Sequence, residues 1–304
     1  MRFGGRRGKG RRPRALPPPS SWWTLGQVAA TAAMILSVTL LAFAVYVGFV
    51  SRLHHDRAQV TAYANFRVEL ALATAPTGQG QPADPGRPLA LGTPVAVLAI
   101  PQLNLREVVF EGTTSAVLEN GPGHLRDTPL PGQAGTSEIM GRMALYGGPF
   151  RDLGNLAPGD SFTVTTGQGT HTYRVLDVRR VGDAQPPPGP GAGRLVLATA
   201  DGNPFVATGV LRVDADLTSP TQGRPPAVVR PAQLSAAEQV MASDDTAWLR
   251  LVATGLLLLL AVGFIAWARH FWGGRQAWLV GVPVLTFLGL AVADQAARLL
   301  PNLM

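Results

Sequence analysis

The sequence predicts a mainly β domain, closed as a barrel or sandwich, with one apolar helix before it and two after it. Three observations carry that class. Short strand-like runs separated by turn signals fill residues 94–217. An uncharged apolar run precedes them and two more follow. Charged residues make up only 15% of the 304 residues, against about 25% in an average soluble domain.

The net charge of +7 is concentrated in one tail. Residues 2–14 hold seven of the 26 basic residues and no acid, and the other 19 are matched by 19 acidic residues. A nucleic-acid-binding domain carries its basic patch within the fold, so no nucleic acid is expected as a partner. A basic tail ahead of an apolar run, here residues 1–22, instead holds that end in the cytoplasm. The chain has no cysteine. That excludes a disulfide framework, a thiolate nucleophile and a cysteine-ligated metal. Glu107, Glu111 and Glu119 are too scattered for a calcium site and read as a solvated face. The isolated glycines lack the lysine of a phosphate loop. No cofactor and no metal are expected.

The elements follow in order. No residue from Ala15 to Ser51 is charged, and Val28–Val50 is almost continuously apolar. About 20 such residues cross a bilayer, so residues 23–50 are expected to form the first transmembrane helix, with Trp22 and Trp23 at the headgroup level. A cleaved signal peptide has an apolar region of about 7–15 residues, shorter than this run, so a retained anchor is expected. Residues 51–93 combine a juxtamembrane helix with a Pro/Gly-rich linker. The helix is carried by Val60, Ala64, Val68 and Leu72, spaced four apart. Strands are expected at Val95–Ile100, Asp160–Thr166, Thr170–Arg179 and Arg194–Ala200, with a turn at Gly167-Gln168-Gly169. Leu211, Val213, Ala215 and Leu217 alternate with charged residues, the pattern of a half-buried strand. A second Pro-rich linker spans 219–247. Spans are expected at 248–268 and 276–298, the second accommodating Pro283. Arg269 and Arg275 bracket the short loop 269–275, which places it in the cytoplasm. The topology is then a multi-pass plasma-membrane protein with the compact domain outside. Asp294, beside Gln295 and Arg298, is expected at the membrane interface.

Within residues 94–218 the order of motifs becomes specific. Ala99-Ile100-Pro101-Gln102-Leu103 is followed by Val108-Val109-Phe110-Glu111-Gly112-Thr113, then by Leu118 and Gly121-Pro122-Gly123-His124. Pro129-Leu130-Pro131-Gly132, Met140-Gly141-Arg142 and Gly147-Gly148-Pro149-Phe150 come next. Leu156-Ala157-Pro158-Gly159-Asp160 and Leu195-Val196-Leu197-Ala198-Thr199-Ala200 close the series. In this order the motifs resemble the sortase family of cell-wall cysteine transpeptidases. The resemblance implies an eight-stranded β-barrel, a Gram-positive envelope, and a reaction that cleaves a sorting signal and transfers the acyl group to an amine. In that chemistry a thiolate attacks the carbonyl while a His and an Arg assist.

The family's residues transfer one at a time. Its His falls on Arg142, whose guanidinium stays protonated and cannot act as a base. Its Cys falls on Ala200, which has no nucleophile. Its Arg falls at Val210, within a residue or two, and Arg212 is the nearest arginine, opposite the apolar face of its strand. Thr199 adjoins Ala200, but a threonine nucleophile needs a general base, and none is evident. His124 is the one histidine inside a family motif and does not match the catalytic one. His171, at a hairpin edge, reads as solvated. The expected protein is therefore a non-catalytic relative in the cell envelope, a binding or accessory module for surface-protein display. The rival reading is an active transpeptidase or hydrolase with an unidentified nucleophile. The expected partners are the membrane and either a surface-protein sorting-signal peptide or a neighbouring membrane protein. A guanidinium at the groove is expected to hold a carboxylate or a peptide carbonyl.

Overall fold

The computed structural model describes residues 37, 38, 40–187, 192–203, 206–244, 246–272 and 274–304. The chain divides into two compact units, residues 1–40 and 41–304. Of the predicted first span, residues 37, 38 and 40–50 are described and are helical. The basic tail 1–22 and the remainder of that span lie outside the described residues. The helix passes through a π-helical turn, Tyr46–Val50, directly into α1, Ser51–Ala71.

The juxtamembrane helix is present, but its four-residue apolar spacing does not mark its packed face. Val60, Val68 and Leu72 are exposed, whereas Ala62 and Phe66 are buried against Val97, Val108 and Phe110 of the barrel. Polar bonds decide the rotation of the helix. The Gln59 side chain donates to the carbonyls of Val108 (3.1 Å) and Asn120 (2.9 Å) and accepts from the Val108 amide at 2.7 Å.

A short hairpin follows, β1 (Gly80–Gln81) with β2 (Asp84–Pro88). The barrel strands are β3 (Pro94–Ile100), β4 (Leu105–Glu111), β5 (Gly123–His124), β6 (Gly135–Met140), β7 (Ser161–Thr166), β8 (Gly169–Arg179), β9 (Gly193–Asn203) and β10 (Val206–Leu217). One helical turn, α2 (Ser115–Leu118), joins β4 to β5 and is capped by the Thr114 hydroxyl. The eight strands close in the order β10-β8-β7-β3-β4-β5-β6-β9, parallel at β4–β5 and β6–β9 and antiparallel elsewhere. Closure leaves the barrel sheet without a free edge.

Inward alternation fills the interior. Leu98, Ile100, Phe162, Val164, Leu195, Leu197, Leu211 and Val213 are buried in one cluster. Phe162 and Tyr173 stack at 5.7 Å, and the Tyr173 hydroxyl accepts the Gly132 amide at 2.6 Å. His171 is 2% exposed rather than solvated. Its Nε2 lies 3.1 Å from the Thr166 hydroxyl. Gly132, at φ +94°, sits on its ring, where an added Cβ would come within 2.3 Å.

Both Pro-rich segments are ordered along the barrel. Leu89 joins the barrel core. Gln222 bridges to Gln133, Val229 is buried, and single turns form at Pro231–Gln233 and Ala236–Glu238. Gln79 ties the two segments together by donating to Thr128 O (2.9 Å) and accepting from Val228 N (2.9 Å).

The chain then enters two apolar helices, α3 (Ala247–Trp272) and α4 (Gly274–Arg298), packed on each other as a hairpin. Within them, Ala247–Ala268 and Leu279–Arg298 are long and apolar enough to cross a membrane. Helix continues through most of the predicted 269–275 loop.

Candidate functional site

The site is built on the outer face of β9 and β10. Leu195 and Leu197 point into the barrel core, so by strand period Ala198 and Ala200 point outward. Across the ladder Ala200 pairs with Val210, Thr199 with Leu211 and Ala198 with Arg212. Ala200 and Val210 therefore stand side by side on the outer face, while Thr199 faces inward beside Leu211. Residues 193–200 are buried on both faces. Their continuous apolar run reflects that double burial, as it does in any fully covered strand.

Arg142 reaches the same face from the end of β6. The Gly141 amide donates to Ala198 O at 3.0 Å. Gly141 also seats the Phe150 ring, which an added Cβ would approach to 2.5 Å. The Arg142 side chain is fully buried rather than set at a solvent-exposed rim. Its Nη2 donates to the Ser115 carbonyl (3.1 Å) and hydroxyl (2.7 Å), and its Nη1 to the main-chain oxygen of Met304 (3.4 Å). The guanidinium carbon lies 4.9 Å over the Tyr146 ring. Burial pulls its pKa below the ordinary guanidinium value, against the pull of Tyr146 and Glu119. The carbonyl that Arg142 was expected to hold thus belongs to its own chain.

The segment after α4 covers the floor. Leu303 and Met304 are buried with Leu118, Met140, Ala198, Ala200 and Val210. The Met143 amide donates to Leu303 O, and the Asn302 amide to Ala242 O, both at 2.8 Å. The Asn302 side chain donates to Thr113 O and Gln239 O, both at 2.9 Å.

Glu119 lies beneath this cover, 4% exposed and 3.2 Å from Arg298. Burial raises its pKa, opposed by Arg298 and Arg142. Arg298 also contacts Asp294 at 3.1 Å, and Asp294 accepts from Tyr46 at 2.5 Å. Tyr46 in turn lies 3.1 Å from Tyr146. The acids do not form a solvated face: Glu111 and Glu119 are buried and ion-paired.

The other sequence candidates stand apart from this floor. Arg212 is half-buried on the outer face next to Glu138. Burial holds the Glu138 carboxyl above its usual range, with Arg212 opposing. The Thr199 hydroxyl, buried inside, has no hydrogen-bond partner among the described residues. His124 is fully buried between β4 and β6, with Nδ1 2.9 Å from Glu111 Oε2 and Nε2 3.0 Å from Pro129 O.

Sequence reasoning passed over Ser115, Asn302, Leu303 and Met304. Pro301 ends a helix, as proline does shortly after a C-terminus, and two apolar residues follow it outside any span. That was the available signal.

Residues 98–209 match the Sortase domain family model. Sortase D of Bacillus subtilis (strain 168) is 30% identical over 90 residues, which is 30% of this chain and 44% of that protein. The chain therefore matches less than half the length of that relative. Among solved structures, a Clostridium perfringens sortase D5 transpeptidase is 20% identical over 54% of this chain and 98% of its own, with a TM-score of 0.42. The SrtF sortase from Corynebacterium diphtheriae is 26% identical over 43% and 87%, with a TM-score of 0.38. Sortase C-1 from Actinomyces oris is 29% identical over 41% and 75%, with a TM-score of 0.37. The chain is sortase-like.

His124 generates a pH prediction. Its two ring nitrogens both face acceptors, which suits the doubly protonated imidazolium. Burial disfavours that charge, but Glu111 and the Pro129 carbonyl raise the pKa above the usual value. A raised pKa stabilises the fold fully below the unfolded value, about 6.5. That contribution is lost as pH rises through the folded value. Denaturant unfolding of the full chain should show stability falling above that pH, and Glu111→Gln should flatten the dependence. An identical slope in the variant would show that the pair does not set it.

Proposed function

We propose that this chain is a membrane-anchored, non-catalytic sortase-like protein of the Gram-positive cell envelope, serving as a binding or accessory module for surface-protein display. One observation carries the reading. At the position of the family's nucleophile a methyl group, Ala200, packs against Val210 under Leu303. Covalent acyl transfer needs an attacking heteroatom there. The base position holds Arg142, whose Nη2 is already engaged by the Ser115 carbonyl and hydroxyl. Thr199, the nearest hydroxyl, shares the inward face of β9 with Leu195 and Leu197. The groove's partner is a sorting-signal peptide, or the hairpin's partner is a neighbouring membrane protein.

Expected turnover on sorting-signal peptides is nil, measured with the full chain in detergent beside an active sortase. Turnover that disappears in Thr199→Ala would overturn the reading and identify a nucleophile.

The membrane part of the proposal places the barrel outside, with α3 and α4 spanning the bilayer. It is supported by the return of the hairpin to the barrel: the Asp244 amide donates to Arg298 O at 3.4 Å, so both outer ends of the hairpin meet on one side. Cysteine replacing exposed Arg87 should react with an impermeant maleimide in intact cells. Cysteine replacing Gly273 should react only after permeabilisation. The reverse pattern would contradict the orientation.

A further inference from the structure

We propose that residues Pro301–Met304 are a displaceable intramolecular ligand of the groove, delivered by α4, so that the placement of the helical hairpin governs access to the Ala200 floor. The inference rests on reading this face as a binding groove and assigns its occupant.

Four features carry it. First, the segment is held as a bound peptide is held. Main-chain bonds run from Met143 N to Leu303 O and from Asn302 N to Ala242 O, and Arg142 takes the main-chain oxygen of Met304. Asn302 spans the groove through Thr113 O and Gln239 O, while Leu303 and Met304 fill the apolar floor. Main-chain bonds of this kind give affinity and the apolar pockets give selectivity.

Second, the barrel does not need the segment in order to close. Its eight-stranded ladder is complete without residues 301–304. The floor cluster that includes Leu303 is separate from the barrel core. Leaving the groove would uncover an outer face and would not open the barrel.

Third, the fit is incomplete. Arg142 Nε and Asn302 Oδ1 are buried without hydrogen-bond partners. Such orphaned polar groups carry a desolvation cost, which a better-matched ligand would relieve. The occupant, a turn closed by the Met304 amide donating to Pro301 O at 3.0 Å, defines the chemistry that would compete with it: a turn-forming peptide with a small amide side chain followed by two unbranched or γ-branched apolar residues.

Fourth, the segment is tethered to a helix whose seating is itself polar. Arg298, four residues before Asn302, joins Glu119 of the barrel and Asp294 of α4. Tyr46 bonds Asp294 and meets Tyr146, which lies under the Arg142 guanidinium. Movement of the hairpin therefore pulls on the same residues that close the groove.

The test uses the full chain in lipid nanodiscs. The natural chain has no cysteine, so Ala200→Cys supplies a single reporter thiol on the floor. Its reaction with a small maleimide should be at least about tenfold slower than that of Arg87→Cys, as expected for a site exposed only by local opening. Adding Leu303→Asp, or the milder Asn302→Ala, should bring the rate to within a few-fold of the exposed control. An excess of a synthetic peptide with the sequence of residues 299–304 should then slow it again. Thermal unfolding of each variant checks that the barrel is intact, and Asn302→Ala serves if Leu303→Asp does not fold. Fast labelling of Ala200→Cys in the otherwise unchanged chain would overturn the occupancy. Continued protection in a folded tail variant, or no effect of the peptide, would overturn displaceability. These rates do not depend on turnover. Activity on sorting-signal peptides would sink the functional reading alone, and fast labelling of Ala200→Cys in the otherwise unchanged chain would sink this inference alone.

Discussion

The Arg142 guanidinium sets the terms for everything around the groove. A cation removed from water must be surrounded by acceptors, because its desolvation penalty is otherwise several kcal/mol. Here the acceptors come from two directions. Ser115, on the turn after β4, supplies two oxygens, and the segment following α4 supplies a third. Tyr146 contributes its ring face. One side chain thus fixes the α2 turn, the loop after β6 and the chain beyond the apolar hairpin relative to each other.

That arrangement explains how a charged side chain can be fully buried just beyond β6. The guanidinium stays protonated and its two terminal nitrogens are engaged, so it acts as a fixed positive strut. Around it lies an electrostatic chain of alternating character: Glu119, Arg298, Asp294 and Tyr46. Partly satisfied buried networks are costly, and this one leaves Glu119 Oε1 and Arg142 Nε unpartnered. The barrel core, by contrast, is apolar and self-sufficient, with the buried Arg179–Asp214 pair on its outer surface between β8 and β10.

Much of the barrel was legible in the sequence because strand period is a local signal. Phe162 and Val164, Tyr173 and Val175, and Leu211, Val213 and Ala215 are buried in the core as their alternation indicates. The pairing of Ala200 with Val210 is not a local signal. The ladder brings Ala200 and Val210 together from ten residues apart in the chain. The packed face of α1 was not legible. Val60, Val68 and Leu72 carry the stronger apolar spacing but are exposed, because Gln59 hydrogen bonds rotate Phe66 toward the barrel. Nor was the burial of Arg142, His171 and Glu119 legible. A polar residue's burial depends on partners distant in sequence, such as Met304 for Arg142 and Arg298 for Glu119. Single-segment patterns carry no information about such partners.

The central claim is that Arg142 binds this chain and not a solvent-borne ligand, and its removal tests that most directly. Arg142→Met keeps the length and apolar stem of the side chain but leaves the two Ser115 oxygens without their donor. Denaturant unfolding of the full chain should show a loss of about 1–3 kcal/mol, the cost of stranding buried hydrogen-bonding groups. A stability unchanged from the natural chain would mean that the guanidinium is solvated and free to meet a ligand, and would contradict the account.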